Sequence, residues 1–234
     1  MLVEIWSDAV CPWCYIGKRR FETALGEFEH REEVEVRWRS YELDPRAPFR
    51  RSGNMAEHLA RKYGMTVEQA GARIESMNRL AADEGLEYDL ARTPGGNTFD
   101  AHRLIHLGYE RNPETGAAVK EALLKAYFIN LEPISEPEVL QRIAESVGLD
   151  AGEVRDLLGS DSLSTEVRAD EADAAELGCT GVPFFVIDRA FAIHGAQDPG
   201  TFLATLRRAW SRSHPVEVVP APGGSACSED GCAI

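Results

Sequence analysis

Leu2-Val3-Glu4-Ile5-Trp6-Ser7, then Cys11-Pro12-Trp13-Cys14-Tyr15-Ile16-Gly17, is the passage that decides how this chain folds. The first six residues are strand formers. From 12 to 30, Tyr15, Ile16, Phe21, Leu25 and Phe28 recur close to helical spacing. Two cysteines three positions apart therefore fall where a strand gives way to a helix. At a helix start, unpaired N–H groups and the positive end of the dipole stabilise an anion, so the first thiol is expected to ionise readily. Pro12 suits the first helical turn, where its missing donor costs nothing. Such a pair of thiols closes into a disulfide and reopens, which makes Cys11 and Cys14 a reversible two-electron switch.

Working outward, Val34, Val36 and Trp38 alternate with Glu35, Arg37 and Arg39 as a half-buried strand, completing a β–α–β unit. After Asp44-Pro45 a loop runs to about Gly53, and helices are expected at 54–63, 66–84, 98–111, 115–130, 136–147 and 150–157. Their punctuation is Thr66, Asn97-Thr98, Asn112-Pro113, Ser135-Glu136-Pro137 and Gly148. A helix at 164–178, a strand at 182–187, a turn at Asp188-Arg189, a strand at 191–194 and a helix at 198–212 follow. The expected fold is α/β. Residues 1–44 and 164–212 form the core, 45–163 an inserted helical subdomain, and 213–234 a flexible tail rich in proline and glycine with Cys227 and Cys232 in a C-x4-C pair.

The 234 residues suffice to bury a real core, and 44% hydrophobic with 27% charged residues is ordinary for a globular protein. A net charge of −14 argues against nucleic acid or an anionic membrane as partner. No apolar run approaches the ~18 residues of a membrane span. The N-terminus reads as a strand with no signal peptide, so a cytoplasmic location is expected, where a C-x2-C is more often catalytic than structural. Zinc is the competing reading, since Cys11, Cys14, Cys227 and Cys232 could supply four thiolates. The strand–CPxC–helix context favours redox chemistry, and neither metal nor cofactor is expected.

The split β–α–β … α–β–β–α order with CPxC before the first helix resembles the thioredoxin fold, and the helical insertion resembles the DsbA family within it. Ile5-Trp6-Ser7-Asp8, the Cys11–Gly17 run, Asn97-Thr98-Phe99-Asp100-Ala101-His102-Arg103-Leu104 and Gly181-Val182-Pro183-Phe184-Phe185-Val186 are similar to its FrnE-type branch. The resemblance covers about residues 1–212. It implies that Cys11 attacks the substrate disulfide and that Cys14 resolves the mixed disulfide. It further implies that Val182 and Pro183 form a cis-proline site that aligns substrate like an added strand. A proline that merely begins a strand is the plain alternative.

Two departures bear on these roles. Trp13 stands where DsbA-type sites have histidine, which should make Cys11 a less extreme thiolate and the disulfide a weaker oxidant. Glu4 resembles the acid beneath the family's active site, but the loop to Cys11 is one residue longer. It is read either as proton acceptor for Cys14 or as an exposed strand residue. His102 is read either as lining the cleft or as a packed, hydrogen-bonded histidine, and Cys179 as a small buried hydrophobe. The tail cysteines are assigned an accessory redox role, since the chain from Ser211 to Cys227 can span ~50 Å. The expected function is a cytoplasmic reductase or isomerase of protein disulfides, recharged by a thiol reductant such as thioredoxin or glutathione. The alternative is a glutathione-dependent isomerase resembling 2-hydroxychromene-2-carboxylate isomerase, whose family typically has serine at the position of Cys11. A chaperone or thiol sensor is a third reading.

Overall fold

The computed structural model describes residues 1–215. Strands β1 (Leu2–Ser7), β2 (Glu35–Ser40), β3 (Phe184–Ile187) and β4 (Phe191–His194) form one sheet in the order β2-β1-β3-β4. β1 is parallel to β2, antiparallel to β3, and β3 is antiparallel to β4. Helix α1 (Pro12–Gly26) makes the crossover between β1 and β2, and α9 (Pro199–Ser213) follows β4. Between β2 and β3 come α2 (Met55–Tyr63), α3 (Val67–Asp83), α4 (Phe99–Arg111), α5 (Pro113–Phe128), α6 (Pro137–Ser146), α7 (Ala151–Leu158) and α8 (Ser164–Glu176).

The sheet is covered on both sides, so β1 is buried from Val3 to Ser7 and its alternation in sequence is weak. Val3, Ile5, Phe185 and Ile187 face the large core shared with α1 and α9. Phe21, Phe185 and Phe202 join the three elements there, with ring centroids 4.6–5.7 Å apart. Trp6, Phe184 and Val186 point the other way, onto Ala174 of α8. Trp6 Nε1 donates to the Asp170 carbonyl at 2.7 Å, which satisfies its single donor in a buried place.

Helix boundaries follow the caps. Asn54 and Thr66 make capping boxes with Glu57 and Gln69. The helix expected from 115 begins instead at Pro113, because Asn112 Oδ1 accepts from Thr115 N–H at 2.7 Å and proline fits the first position. Helix α1 stops at Gly26, short of His30; Phe28 reaches the core from a turn. β3 starts at Phe184 rather than 182, since Pro183 has no N–H for the ladder.

Candidate active site

Cys11 is the N-cap of α1, with extended backbone at φ −88° and ψ 114°, and Pro12 is the first helical residue. No acidic side chain occupies the first turn of α1, so nothing there offsets the positive end of its dipole at Cys11. Cys14 lies one turn in and is fully buried, whereas Cys11 keeps 3% exposure at the floor of a cleft. Cys11 Sγ donates to the Val182 carbonyl at 3.6 Å, and the Val182–Pro183 peptide bond is cis. Trp13 projects outward at 39% exposure and lines the same cleft.

Three separate parts of the chain hold this motif. The Cys11 N–H donates to the Asp8 carbonyl at 3.4 Å in the turn after β1. Tyr88, beyond α3, donates its hydroxyl to the Pro12 carbonyl at 3.0 Å and stacks on Phe128 of α5 at 4.6 Å. On α1, Gly17 lets Pro183 approach, because a Cβ there would lie 2.9 Å from Pro183 Cγ and 3.3 Å from Ala196 Cβ. Gly17→Ala is therefore expected to cost about 1–3 kcal/mol through overpacking. The matched control is Gly26→Ala, where a Cβ meets nothing within 4 Å. Equal melting temperatures for the two variants would refute the close approach.

A buried polar cluster lies behind the thiols. Asp8 is 1% exposed, His102 and Lys120 not at all. His102 Nε2 is 3.4 Å from Asp8 Oδ1, and neither ring nitrogen has a hydrogen bond among the described residues. Burial pushes the Asp8 carboxyl up, but His102 beside it, the Leu43 N–H at 2.8 Å and the Lys120 charge together hold it below its ordinary value. Lys120 Nζ donates to the Ser7 carbonyl at 3.2 Å and sits 5.7 Å from the Trp38 ring centre. Burial lowers the Lys120 pKa, while Cys14, Asp8 and Cys11 pull it back. Burial likewise drives the Cys14 thiol well up, Cys11 adds to this, and Lys120 opposes it. Lys120 is thus the cation that helps the buried thiol ionise.

One expectation is corrected here and one resolved. Glu4 is neither exposed nor beside Cys14: it is 1% exposed and accepts from Arg39 Nε and Arg189 Nη2, each at 2.9 Å. Its place in the middle of β1 makes it an internal ion-pair anchor, and Asp8 is the carboxylate near the thiols. Of the two readings of His102, the packed one holds: it does not line the cleft but is sealed behind Asp8, with Nε2 3.4 Å from Asp8 Oδ1. Cys179 is only partly buried, donates to the Gly181 carbonyl at 3.4 Å and packs against the smaller core cluster. Cys227 and Cys232 lie outside the described residues. Among the described residues, no group of three or more His, Cys, Asp or Glu is placed to hold a metal ion, and no helix is long and apolar enough to cross a membrane.

A sheet of this order, a dithiol at the N-terminus of its crossover helix and a Val-Pro turn facing it coincide with a family match. The model of the DSBA-like thioredoxin domain matches residues 2–207. The chain belongs to that family. Among solved structures, this DSBA-like chain is similar to a probable DsbA oxidoreductase from Streptomyces coelicolor, at 45% identity and TM-score 0.87, covering 100% of this chain and 99% of the other. It shares its fold with 2-hydroxychromene-2-carboxylate isomerase, at 13% identity and TM-score 0.61, covering 93% of this chain and all of the other. The cytosolic disulfide reductase DsbM from Pseudomonas aeruginosa has 17% identity and TM-score 0.60, covering 91% of this chain and all of the other.

Sequence reasoning passed over Asp8, Tyr88 and Lys120. For Lys120 a signal existed. It falls among Gly116, Val119, Leu123, Leu124 and Tyr127 on the buried face of α5, and a charge at a core position of a helix marks either a pairing or a function.

Proposed function

We propose that this member of the DSBA-like family is a cytoplasmic thiol–disulfide oxidoreductase that reduces and isomerises disulfides in protein substrates. The observation that carries the reading is Cys11 at the positive end of α1, against the Val182 carbonyl and at the floor of an open cleft. The Cys11 thiolate attacks one sulfur of the substrate disulfide; that S–S bond breaks, a mixed disulfide forms and one substrate thiolate leaves. The Cys14 thiolate, aided by Lys120, then attacks Cys11 Sγ and releases the second substrate thiolate. Two electrons pass to the substrate, and its two sulfurs end as thiols. A thiol reductant, glutathione or a thioredoxin-type dithiol, returns the Cys11–Cys14 disulfide to the dithiol. Trp13 in place of histidine and a fold shared with a cytosolic disulfide reductase, also solved with GSH, support the reducing direction and the cytoplasmic setting. The tail pair Cys227/Cys232 is assigned to relay electrons to or from this site. Unchanged turnover and reoxidation in a Cys227→Ser/Cys232→Ser variant would end that assignment.

Insulin reduction tests the central reading. Cys11→Ser is expected to abolish it, and Cys14→Ser to accumulate a protein–substrate mixed disulfide visible on a non-reducing gel. The fold shared with 2-hydroxychromene-2-carboxylate isomerase gives the competing reading of a glutathione-dependent isomerase. That enzyme would survive Cys11→Ser; glutathione-dependent isomerase turnover that persists in this variant, without insulin reduction, would therefore favour the isomerase.

A further inference from the structure

The cleft above Cys11 has a charge at odds with the rest of the chain. The protein carries 39 acidic and 25 basic residues, yet Arg51, Lys62 and Arg73 all line this cleft, and of its two carboxylates, Asp44 and Asp8, the latter is buried beside His102. No carboxylate lies within ion-pair distance of these three cations among the described residues, although Arg19, Arg20, Arg39, Arg50, Arg168 and Arg189 are all paired. Arg51 Nε is buried without a partner, while one of its terminal nitrogens donates to the Thr93 carbonyl at 3.2 Å. His58, also in the cleft, sits in a net positive field: burial lowers its pKa and Arg51, Lys62 and Arg61 lower it further, against a smaller opposing pull from Asp44.

The cleft is also where apolar surface remains in the open. Trp13, Leu43 and Tyr63 line it at 39%, 40% and 58% exposure, three of the five large hydrophobic residues that stand exposed in the described chain. Met55 and Met77 complete a wall able to adapt to different side chains. An exposed apolar surface rimmed by charge marks a binding site. The volume is about 710 Å³, within the ~300–1,000 Å³ typical of ligand clefts.

We propose that this cleft selects the substrate, taking extended polypeptide segments whose disulfide cysteine is flanked by acidic and large apolar side chains. The proposal rests on the oxidoreductase reading and names the substrate class of that site. Spacing argues for a chain rather than a single anionic group. Arg51 precedes α2 and Lys62 lies in its last turn; the seven helical residues between them rise about 10 Å, the reach of roughly three residues of extended chain. Cys11, 3% exposed at the floor, admits a disulfide carried on a thin strand and excludes one buried inside a folded domain.

The test uses fluorophore–quencher peptide disulfides in which the residues flanking the cysteine are Glu and Leu, Lys and Leu, or Ser alone. The wild-type protein is expected to turn over the Glu/Leu peptide with kcat/KM about tenfold above the Lys/Leu peptide, equivalent to about 1.4 kcal/mol. That ratio should fall toward one as salt is raised, and Lys62→Glu/Arg73→Glu should invert it. Ratios are compared within each protein, so a partly folded variant still reports; if the variant does not fold at all, the wild-type salt series decides. A wild-type ratio within about twofold of one, or one insensitive to salt, overturns the proposal. Wild-type turnover of the neutral bis(2-hydroxyethyl) disulfide is measured alongside. Its absence would remove the oxidoreductase reading itself, whereas its presence without charge preference removes only the substrate class.

Discussion

Lys120→Met is expected to leave a well-folded protein that exchanges disulfides on the order of 100-fold more slowly at neutral pH, the low end of the cost of removing one preorganised electrostatic partner. Methionine fills about the same space on the buried face of α5, so packing there survives. A fully buried ammonium with one carbonyl partner at 3.2 Å is itself costly, and the melting temperature should stay level or rise. What goes is the positive charge that opposes the upward push of burial and Cys11 on the Cys14 thiol. The sign of the pH effect follows. Without Lys120 the Cys14 thiol moves further up, so its thiolate forms only at higher pH and the alkaline-rising limb of the resolution rate shifts to higher pH. In glutathione buffers the equilibrium should shift toward the disulfide only at pH high enough to ionise Cys14 in the reduced wild type, because only the thiolate loses a stabilising charge. Arginine is a poor rescue, being too large for the site; a wild-type pH profile in Lys120→Met would remove the lysine from the chemistry.

Glu4→Ala is expected to do the opposite, costing stability and leaving the chemistry of the folded molecules intact. Glu4 is 1% exposed at the centre of β1 and joins Arg39 of β2 to Arg189 at the β3–β4 turn. Removing the carboxylate strips two guanidinium groups of their shared partner, that of Arg39 largely buried and that of Arg189 reaching solvent. Breaking a buried pair costs about 3–5 kcal/mol. The low end applies here, because Arg39 keeps Asp170 at 3.0 Å and Arg189 keeps Asp173 at 2.7 Å. In a chain of this size about 3 kcal/mol lowers the melting temperature by roughly 6–12 °C. Thermal unfolding with insulin reduction per folded molecule checks both halves. A lost rate at full stability would return Glu4 to the thiols' vicinity.

Much of the fold was legible because its signals are local. The strand–CPxC–helix entry, the caps at Asn54 and Thr66, and the aromatic β3 run all declare themselves within a few residues. The Asn112-Pro113 start of α5 is legible too, because a cap followed by proline fixes a helix start more firmly than the apolar pattern does. Glu4, Asp8 and His102 were not, because burial of a polar side chain is decided by what packs over it. Nothing around Glu4 in sequence reveals that Arg39 and Arg189 converge on it from 35 and 185 residues away. The cleft's charge has the same origin, since Arg51, Lys62 and Arg73 are unremarkable surface residues until α2 and α3 fold over Cys11.

The Lys120 contact also has a reciprocal side. Coupling between two sites acts equally in both directions: whatever α5 contributes to ionising the buried sulfur, the ionised sulfur contributes to seating α5. With Tyr88 holding the Pro12 carbonyl from beyond α3, the helical half of the molecule is tied to the turn that carries both sulfur atoms. Hydrogen exchange in α5 should therefore slow when the dithiol is reduced at a pH high enough to ionise Cys14 and quicken when the disulfide closes, giving electrons a grip on local breathing.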